Sequence, residues 1–437
     1  MVSHDRLRDV RPRQAAQVVG LLVAAAVAVG FGITIADHGF IDLDVYRAGG
    51  RAFLDGAPLY GSEFAAGSPA GLRFIYAPFA AALFVPFTLM PADLAHGVWT
   101  VITVLLVLWV LHAVCSRLGV TSPPMPALVL LAPALLLEPV RETVSFGQVN
   151  VVMVALVVLD ATGVIPKRFR GIGIGIAAAV KVTPAAFGLL LLVRRDYASI
   201  VRAAGAFLAC AAIGYALDPA DSTEYWTSVF FDSSRAGGAE YGPNQAITGL
   251  LARLGLEGTT RDVVWLLACA VIVPATAWAA YRFTRAGEHV LALSVVALAS
   301  LLCAPFAVSH HWSYVVLLLP LLAARQYAAW RYPIGAAAIV FSLGAVWFLP
   351  IGEDLEHERW SWLDQLTGNS ECLAGIALMV GAVVVARRRT PRADARPPEE
   401  TEVTALAGGA PGAAADPLAD PARSAAAEGE RRSDVSG

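Results

Sequence analysis

Charge is scarce in this chain, and lysine is almost absent. Only 15% of the 437 residues are Asp, Glu, Lys or Arg, while 57% are hydrophobic. Soluble domains hold about 25% charged and 45–50% apolar residues, so the composition points to the bilayer. Of 32 basic residues only Lys167 and Lys181 are lysines, a bias that fits a GC-rich bacterial genome. The net charge of −3 comes with no basic stripe, and no nucleic-acid partner is expected. The five cysteines (Cys115, Cys210, Cys269, Cys303, Cys372) never form a Cys-x-x-Cys, so neither a zinc site nor a redox pair is indicated. They read as small hydrophobes. There is no Walker motif, and no Gly-x-Gly-x-x-Gly between a strand and a helix. Gly171, Gly173 and Gly175 imitate such a motif only superficially and read as positions where helices pack closely.

What is present is a succession of apolar runs. Arg6, Arg8, Arg11 and Arg13 precede a run over 18–36. That pattern fits a secretory signal cleaved after Ala36, or an anchor; the many spans that follow favour the anchor. Residues 1–17 are then a cytoplasmic N-terminus. Residues 37–94 read as a first outer loop with interfacial or re-entrant helices, since Pro78 and Pro86 interrupt its apolar patch. Further spans are predicted near 95–116, 124–139, 148–164, 197–217, 262–282, 287–307, 309–324, 333–350 and 371–386. Residues 171–193 are long enough to cross, but Arg194-Arg195 would then lie outside and Pro184 falls mid-run. A hairpin of two half-helices with its tip at Lys181–Pro184 keeps both basic ends inside. Irregular backbone at that depth is tolerated only where it lines a protein cavity, so a cavity is predicted there. The expected fold is an all-α polytopic membrane domain over 18–388, with about ten full crossings plus the re-entrant pair. Both termini fall in the cytoplasm, and 389–437 reads as a disordered cytoplasmic tail.

Ionisable groups in a bilayer cost roughly 2.5–3.5 kcal/mol each and mark functional sites. Lys181 is such a group. Its bland reading is a lysine snorkelling to an interface; its functional reading is a cation for an anionic group such as a lipid phosphate. On the predicted outer side stand Asp42 and Asp44, Gln148 and Asn150, Asn244 and Gln245, and His310-His311-Trp312. Each alone has a dull explanation, as a helix cap or an interfacial anchor. Together they suit one reaction. An outer carboxylate acts as general base on a hydroxyl, and a cation opposite it stabilises a phosphate leaving group. That describes sugar transfer from a polyprenyl phosphate sugar, whose lipid anchor makes a nucleotide-binding fold unnecessary. Asp42-Leu43-Asp44 is also a D-x-D able to bind a hard divalent cation. Such a donor does not demand one and no third ligand is identifiable, so no cofactor is expected.

Asp42-Leu43-x-Val45-Tyr46, Gly56-x-x-Leu59-Tyr60, Tyr76-x-Pro78, Gly147-Gln148-x-Asn150, Lys181-x-Thr183-Pro184, Asn244-Gln245 and His310-His311-Trp312 occur in that order. The set resembles glycosyltransferase family 87, the polyprenol-phosphate-mannose-dependent α-mannosyltransferases with a GT-C membrane fold, over about residues 17–386. The resemblance implies that Asp42 is the catalytic base and that mannose is transferred with inversion, as an α-1,2-type linkage, on the outer face of the plasma membrane. It makes Lys181 and His311 candidates for the donor phosphate. Tyr46, Tyr60, Tyr76, Gln148, Asn150, Asn244, Gln245 and His310 become candidate substrate contacts, with Asp44 a neighbour of looser role. Ala246 stands where the family pattern commonly has Ser. The implied partners are polyprenyl phosphate mannose, a glycolipid or mannan acceptor, and membrane lipids. A transporter or lipid-carrier flippase is the alternative, for which a broken helix at Lys181–Pro184 serves equally well; a non-catalytic membrane subunit is another.

Overall fold

Apolar runs in a chain this poor in charge satisfy their backbone polar groups most simply as helices. In a computed structural model describing residues 39–232, 235, 237–239, 241–349 and 360–389, helix accounts for all of the secondary structure. The sole exception among the described residues is one isolated bridge between Asn244 and Val308. All of the described residues belong to one compact unit. The expected span at 18–36, the arginine-bearing N-terminus and most of the C-terminal tail lie outside them.

Five described helices are long and apolar enough to cross a membrane: Ala92–Arg117, Tyr197–Leu217, Gly258–Arg285, Arg325–Phe348 and Ser370–Arg388. Each coincides with a predicted span. The other expected spans are shorter, with 13 residues in each of Pro124–Leu136 and Asn150–Thr162 and 14 in His289–Leu302. The predicted span at 309–324 is mostly a ten-residue 3₁₀ helix, Ser309–Leu318, followed by the short helix Leu319–Ala323. A 3₁₀ helix rises about 2 Å per residue, so ten residues cover about 20 Å.

Two cores hold the unit together. The larger is aliphatic and gathers the long helices with Asn150–Thr162 and His289–Leu302. The smaller is aromatic: Tyr46, Tyr60, Phe74, Tyr76, Phe84 and Trp99 pack with Leu43 and Leu59. Val149, Met153, Ala177 and Val180 close this second core from below. Its edge-to-face and offset rings, such as Tyr46 on Tyr76 at 5.2 Å and on Phe84 at 4.4 Å, add directional contacts to area burial. Part of the stretch expected to be a loop is therefore a well-packed helix, Ile41–Asp55, lying on Pro78–Thr88.

The 171–193 puzzle has a geometric answer. The first half-helix, Ile172–Val180, ends at Lys181 in extended backbone; a 3₁₀ turn, Thr183–Phe187, and the helix Gly188–Val193 follow. Gly171 abuts Ser199 O and Gly175 abuts Ala203 O, where an added Cβ would come within 2.1 and 2.2 Å. Ile172–Val180 and Tyr197–Leu217 thus run side by side in the same direction. The chain from Lys181 to Asp196 returns to the end where Gly171 began, and Arg170 Nη1 stands 3.9 Å from Asp196 Oδ2. The glycines do serve close packing.

Candidate active site

The site forms where Ile41–Asp55 begins. That helix starts on the end of Glu138–Ser145: Asp42 N and Leu43 N both donate to Phe146 O, at 3.0 and 3.1 Å. Gly147 makes this seating feasible. Its φ is +69°, and a Cβ there would stand 2.5 Å from the Cβ of Leu43. Asp42 occupies the first turn and faces Gln148, which donates to its carboxylate. The direction of the Gln148 amide follows from its other end, where Oε1 accepts from Tyr46 at 2.7 Å and from Tyr76 at 3.4 Å. Tyr46 and Tyr76 share a hydrogen bond of 2.9 Å, and Tyr60 donates to Tyr76 O at 2.6 Å. Leu59 N donates to Asp221 Oδ2 at 3.0 Å, tying the Leu59-Tyr60 motif to the helix Pro219–Thr227.

Opposite the carboxylate stands Lys181, close enough for its charge to act on Asp42. Its Nζ lies 2.6 Å from His311 Nε2 and 5.7 Å from the centre of the Tyr76 ring. An ammonium has no acceptor, so Lys181 donates and neutral His311 accepts. Lys181 keeps donors free for a further oxygen. Asp42, Lys181, His310 and His311 are all surrounded by protein, yet each retains accessible surface. Together they border one partly exposed patch of the protein.

Burial pushes the Asp42 carboxyl from 3.8 up to about 6, against the opposing pull of the Gln148 hydrogen bond and the Lys181 charge. A carboxylate tuned toward neutrality is a stronger base than an exposed one and still ionised at pH 7. Burial, with the Asp42 charge in addition, raises the Tyr76 phenol too, so it acts as a neutral hydrogen-bonding group.

The remaining candidates are placed differently. Asp44 sits two residues along the helix from Asp42, about 200° around its axis. It bonds Arg47 Nη1 at 3.0 Å and His96 Nε2 at 2.9 Å, fastening the helix to Ala92–Arg117. The two acids of the D-x-D therefore diverge, and no group of three metal-ligating side chains occurs among the described residues. Asn150 donates to His310 O at 3.0 Å, and Thr143 and Ser313, paired at 2.8 Å, both reach the same carbonyl. Asn150 thus holds the histidine pair from behind. Asn244 and Gln245 are wholly buried. Asn244 Oδ1 accepts from Ala246 N and Ala307 N, both at 3.1 Å, while Gln245 Nε2 donates to Gly368 O at 2.7 Å. Their side chains are committed to backbone that leads to His310 and to the last helix. Trp312 is a core residue packed against Gly375.

Sequence reasoning missed Tyr241, whose phenol is raised by burial and then by the charge of Asp42. It also missed Thr143 and Ser313. Neither carries a motif: Tyr241 precedes Gly242-Pro243 in a long loop, and the hydroxyl pair matters only through a backbone carbonyl.

The long apolar helices define a multi-pass membrane protein, and its relatives show which kind. The sequence profile of glycosyltransferase family 87 matches residues 74–305, more than half of the chain. The chain belongs to this family. It is 37% identical over 389 residues to the polyprenol-phosphate-mannose-dependent alpha-(1-2)-phosphatidylinositol mannoside mannosyltransferase of Mycolicibacterium smegmatis, covering 82% of this chain and 87% of that one. The Mycobacterium tuberculosis protein of the same name is 36% identical over 375 residues, covering 80% and 86%. A polyprenol-phosphate-mannose-dependent alpha-(1-2)-phosphatidylinositol pentamannoside mannosyltransferase of M. smegmatis is 31% identical over 281 residues, covering 63% and 68%. No solved structure matches the chain.

Proposed function

We propose that this glycosyltransferase moves mannose from polyprenyl phosphate mannose to a hydroxyl of a phosphatidylinositol mannoside, forming an α-1,2 linkage. Asp42 takes the proton of the acceptor hydroxyl, whose oxygen attacks C1 of the donor sugar. The bond from C1 to the phosphate oxygen breaks with inversion, and Lys181 and His311 receive the polyprenyl phosphate. The observation that carries this reading is the juxtaposition of Asp42 with the Lys181–His311 pair, whose contact measures 2.6 Å. On this reading base and leaving-group cation face each other across one recess, as in-line displacement requires. Tyr46, Tyr60, Tyr76, Gln148 and Tyr241 frame the sugar; Asn150, Asn244 and Gln245 hold the frame. Lys181 supplies the charge that a metal would otherwise provide, so the reading assigns no step to a cation at Asp42 or Asp44.

The same reading takes 18–388 as the membrane domain, with about ten crossings and Ile172–Val193 as a re-entrant pair. Asp42 then faces outward, and the arginine-rich loops and both termini face the cytoplasm. The short helices Asn150–Thr162 and His289–Leu302 are completed as crossings by the irregular backbone next to them, which borders the recess. The test is reconstitution of the purified chain with polyprenyl phosphate [14C]mannose and a phosphatidylinositol mannoside. The expected product is the acceptor extended by one mannose. Movement of the donor across the bilayer without any extended product would instead establish a flippase.

A further inference from the structure

At the other end of the same helices the charges do not balance. Ala92–Arg117 touches Asp44 through His96 and ends at Arg117, 21 residues on. At 1.5 Å per residue the two points are about 30 Å apart, a bilayer core's thickness. There Arg117 and His289 help to line a cavity of about 400 Å³ bordered by residues 117–119, 286–290 and 326–327. Behind it the returning hairpin brings Arg170 and Arg194, close enough that the guanidinium groups of Arg117, Arg170 and Arg194 repel one another and act on His289.

These cations are only partly compensated, by Asp160 acting on Arg170 and Asp196 on Arg194. Arg117 Nε, Arg170 Nε, and Arg194 Nε and Nη2 are all buried without a hydrogen-bond partner among the described residues. Arg194 Nη1 donates to Ala161 O at 3.1 Å, but this is a neutral carbonyl. Asp160, also buried, accepts from Ile174 N at 2.7 Å; Asp196 accepts from Ser199 N and Ser199 Oγ and only approaches Arg170. Glu288, on the cavity wall, is paired with Arg389 at 3.0 Å. Clustered cations with buried, empty donors are stable only when an anion completes them.

We infer that this cavity is a binding site for a phosphate ester, filled by the phosphate of an anionic lipid headgroup or by free phosphate, distinct from the transfer site about 30 Å away. Arg117 on the cavity wall, with the charges of Arg170 and Arg194 behind it, suits a phosphate, which accepts forked hydrogen bonds and carries more charge than a single carboxylate. The volume admits a headgroup but not a second glycolipid substrate.

The test uses the full chain in nanodiscs of phosphatidylcholine, with or without one fifth phosphatidylglycerol, a lipid that carries no mannose. A parallel arm titrates inorganic phosphate in detergent at constant ionic strength. A ligand of the native state raises Tm, and such a rise is expected with phosphatidylglycerol. A rise confined to the lipid arm identifies a headgroup site; a rise in both identifies the phosphate group itself as what is bound. Arg117→Gln is expected to weaken the response roughly tenfold. In plain phosphatidylcholine its Tm should equal or exceed that of the wild type, because a repelling charge has gone. His289→Gln provides a second variant should Arg117→Gln fail to fold. No rise with either probe, or an equal rise in wild type and both variants, overturns the proposal.

Discussion

The two ends of this helical unit both concentrate charge, but they do so in opposite ways. At one end Asp42 faces Lys181, with Gln148 bonded to the first and His311 to the second. At the other, Arg117, Arg170 and Arg194 crowd together and two acids serve backbone amides first. Opposed charges across a recess can move a proton and receive a leaving group within one turnover. Like charges around a cavity can only hold something of the other sign. The difference separates a place for chemistry from a place for binding, and it is read from partners rather than from the mere presence of ionisable groups in a bilayer.

Substitutions at four positions break that comparison in graded ways. Asp42→Asn removes the base and should lower transfer by about 10²–10⁴-fold with the fold intact. The same change should stabilise the protein. A carboxyl raised from 3.8 to about 6 favours the folded state below pH 3.8 and loses that advantage as pH rises through 6. The penalty at pH 7 is therefore at most about 3 kcal/mol, reduced by the partial exposure of the group. Thermal unfolding at pH 7 and at pH 4 checks this, since the gain should vanish at the lower pH. Lys181→Met should cost about 10²–10³-fold in kcat, with a smaller change in KM, because the lost cation serves the leaving phosphate. Steady-state kinetics on reconstituted protein separates the two. Gly147→Ala forces a Cβ against Leu43 at positive φ and should lower stability by about 1–3 kcal/mol while displacing Asp42, seen as a lower Tm with reduced transfer. Asn244→Ala leaves two buried amides without an acceptor and should cost about 1–3 kcal/mol, measured by denaturation. Asn244→Asp, which keeps the acceptor oxygen, should restore most of it. A loss of kcat/KM in Asn244→Asp at unchanged stability would show that Asn244 contacts substrate instead.

Much of this was legible in the chain. The apolar runs located the long helices, because a helix is the simplest way to satisfy backbone groups in lipid. The conflict between Pro184 and the basic ends of 171–193 pointed to a break and return, since charge and proline chemistry act locally. The convergence of Asp42, Gln148, Lys181 and His311 came from motif order and not from spacing, for no periodicity connects residues so far apart. Other features were hidden because they depend on three-dimensional partners. The motif match set Asp42 apart from Asp44, but that Asp44 pairs with Arg47 and His96 shows only once the stretch is helical. Asn244 and Gln245 looked like site groups because they are polar, but in the fold their side chains bond backbone groups. The basic end was hidden because Arg117, Arg170 and Arg194 stand far apart in the chain and meet only in the fold.

The most direct measurement of the central claim is the pH profile of kcat/KM for mannose transfer by the reconstituted protein. Asp42 works as a base only when ionised, so activity should rise about tenfold per pH unit on the acid side and level off near pH 6, where burial has placed its carboxyl. A profile that levels off near pH 4, or one flat from pH 4.5 to 8, would mean that no buried carboxylate accepts the proton and would contradict the account.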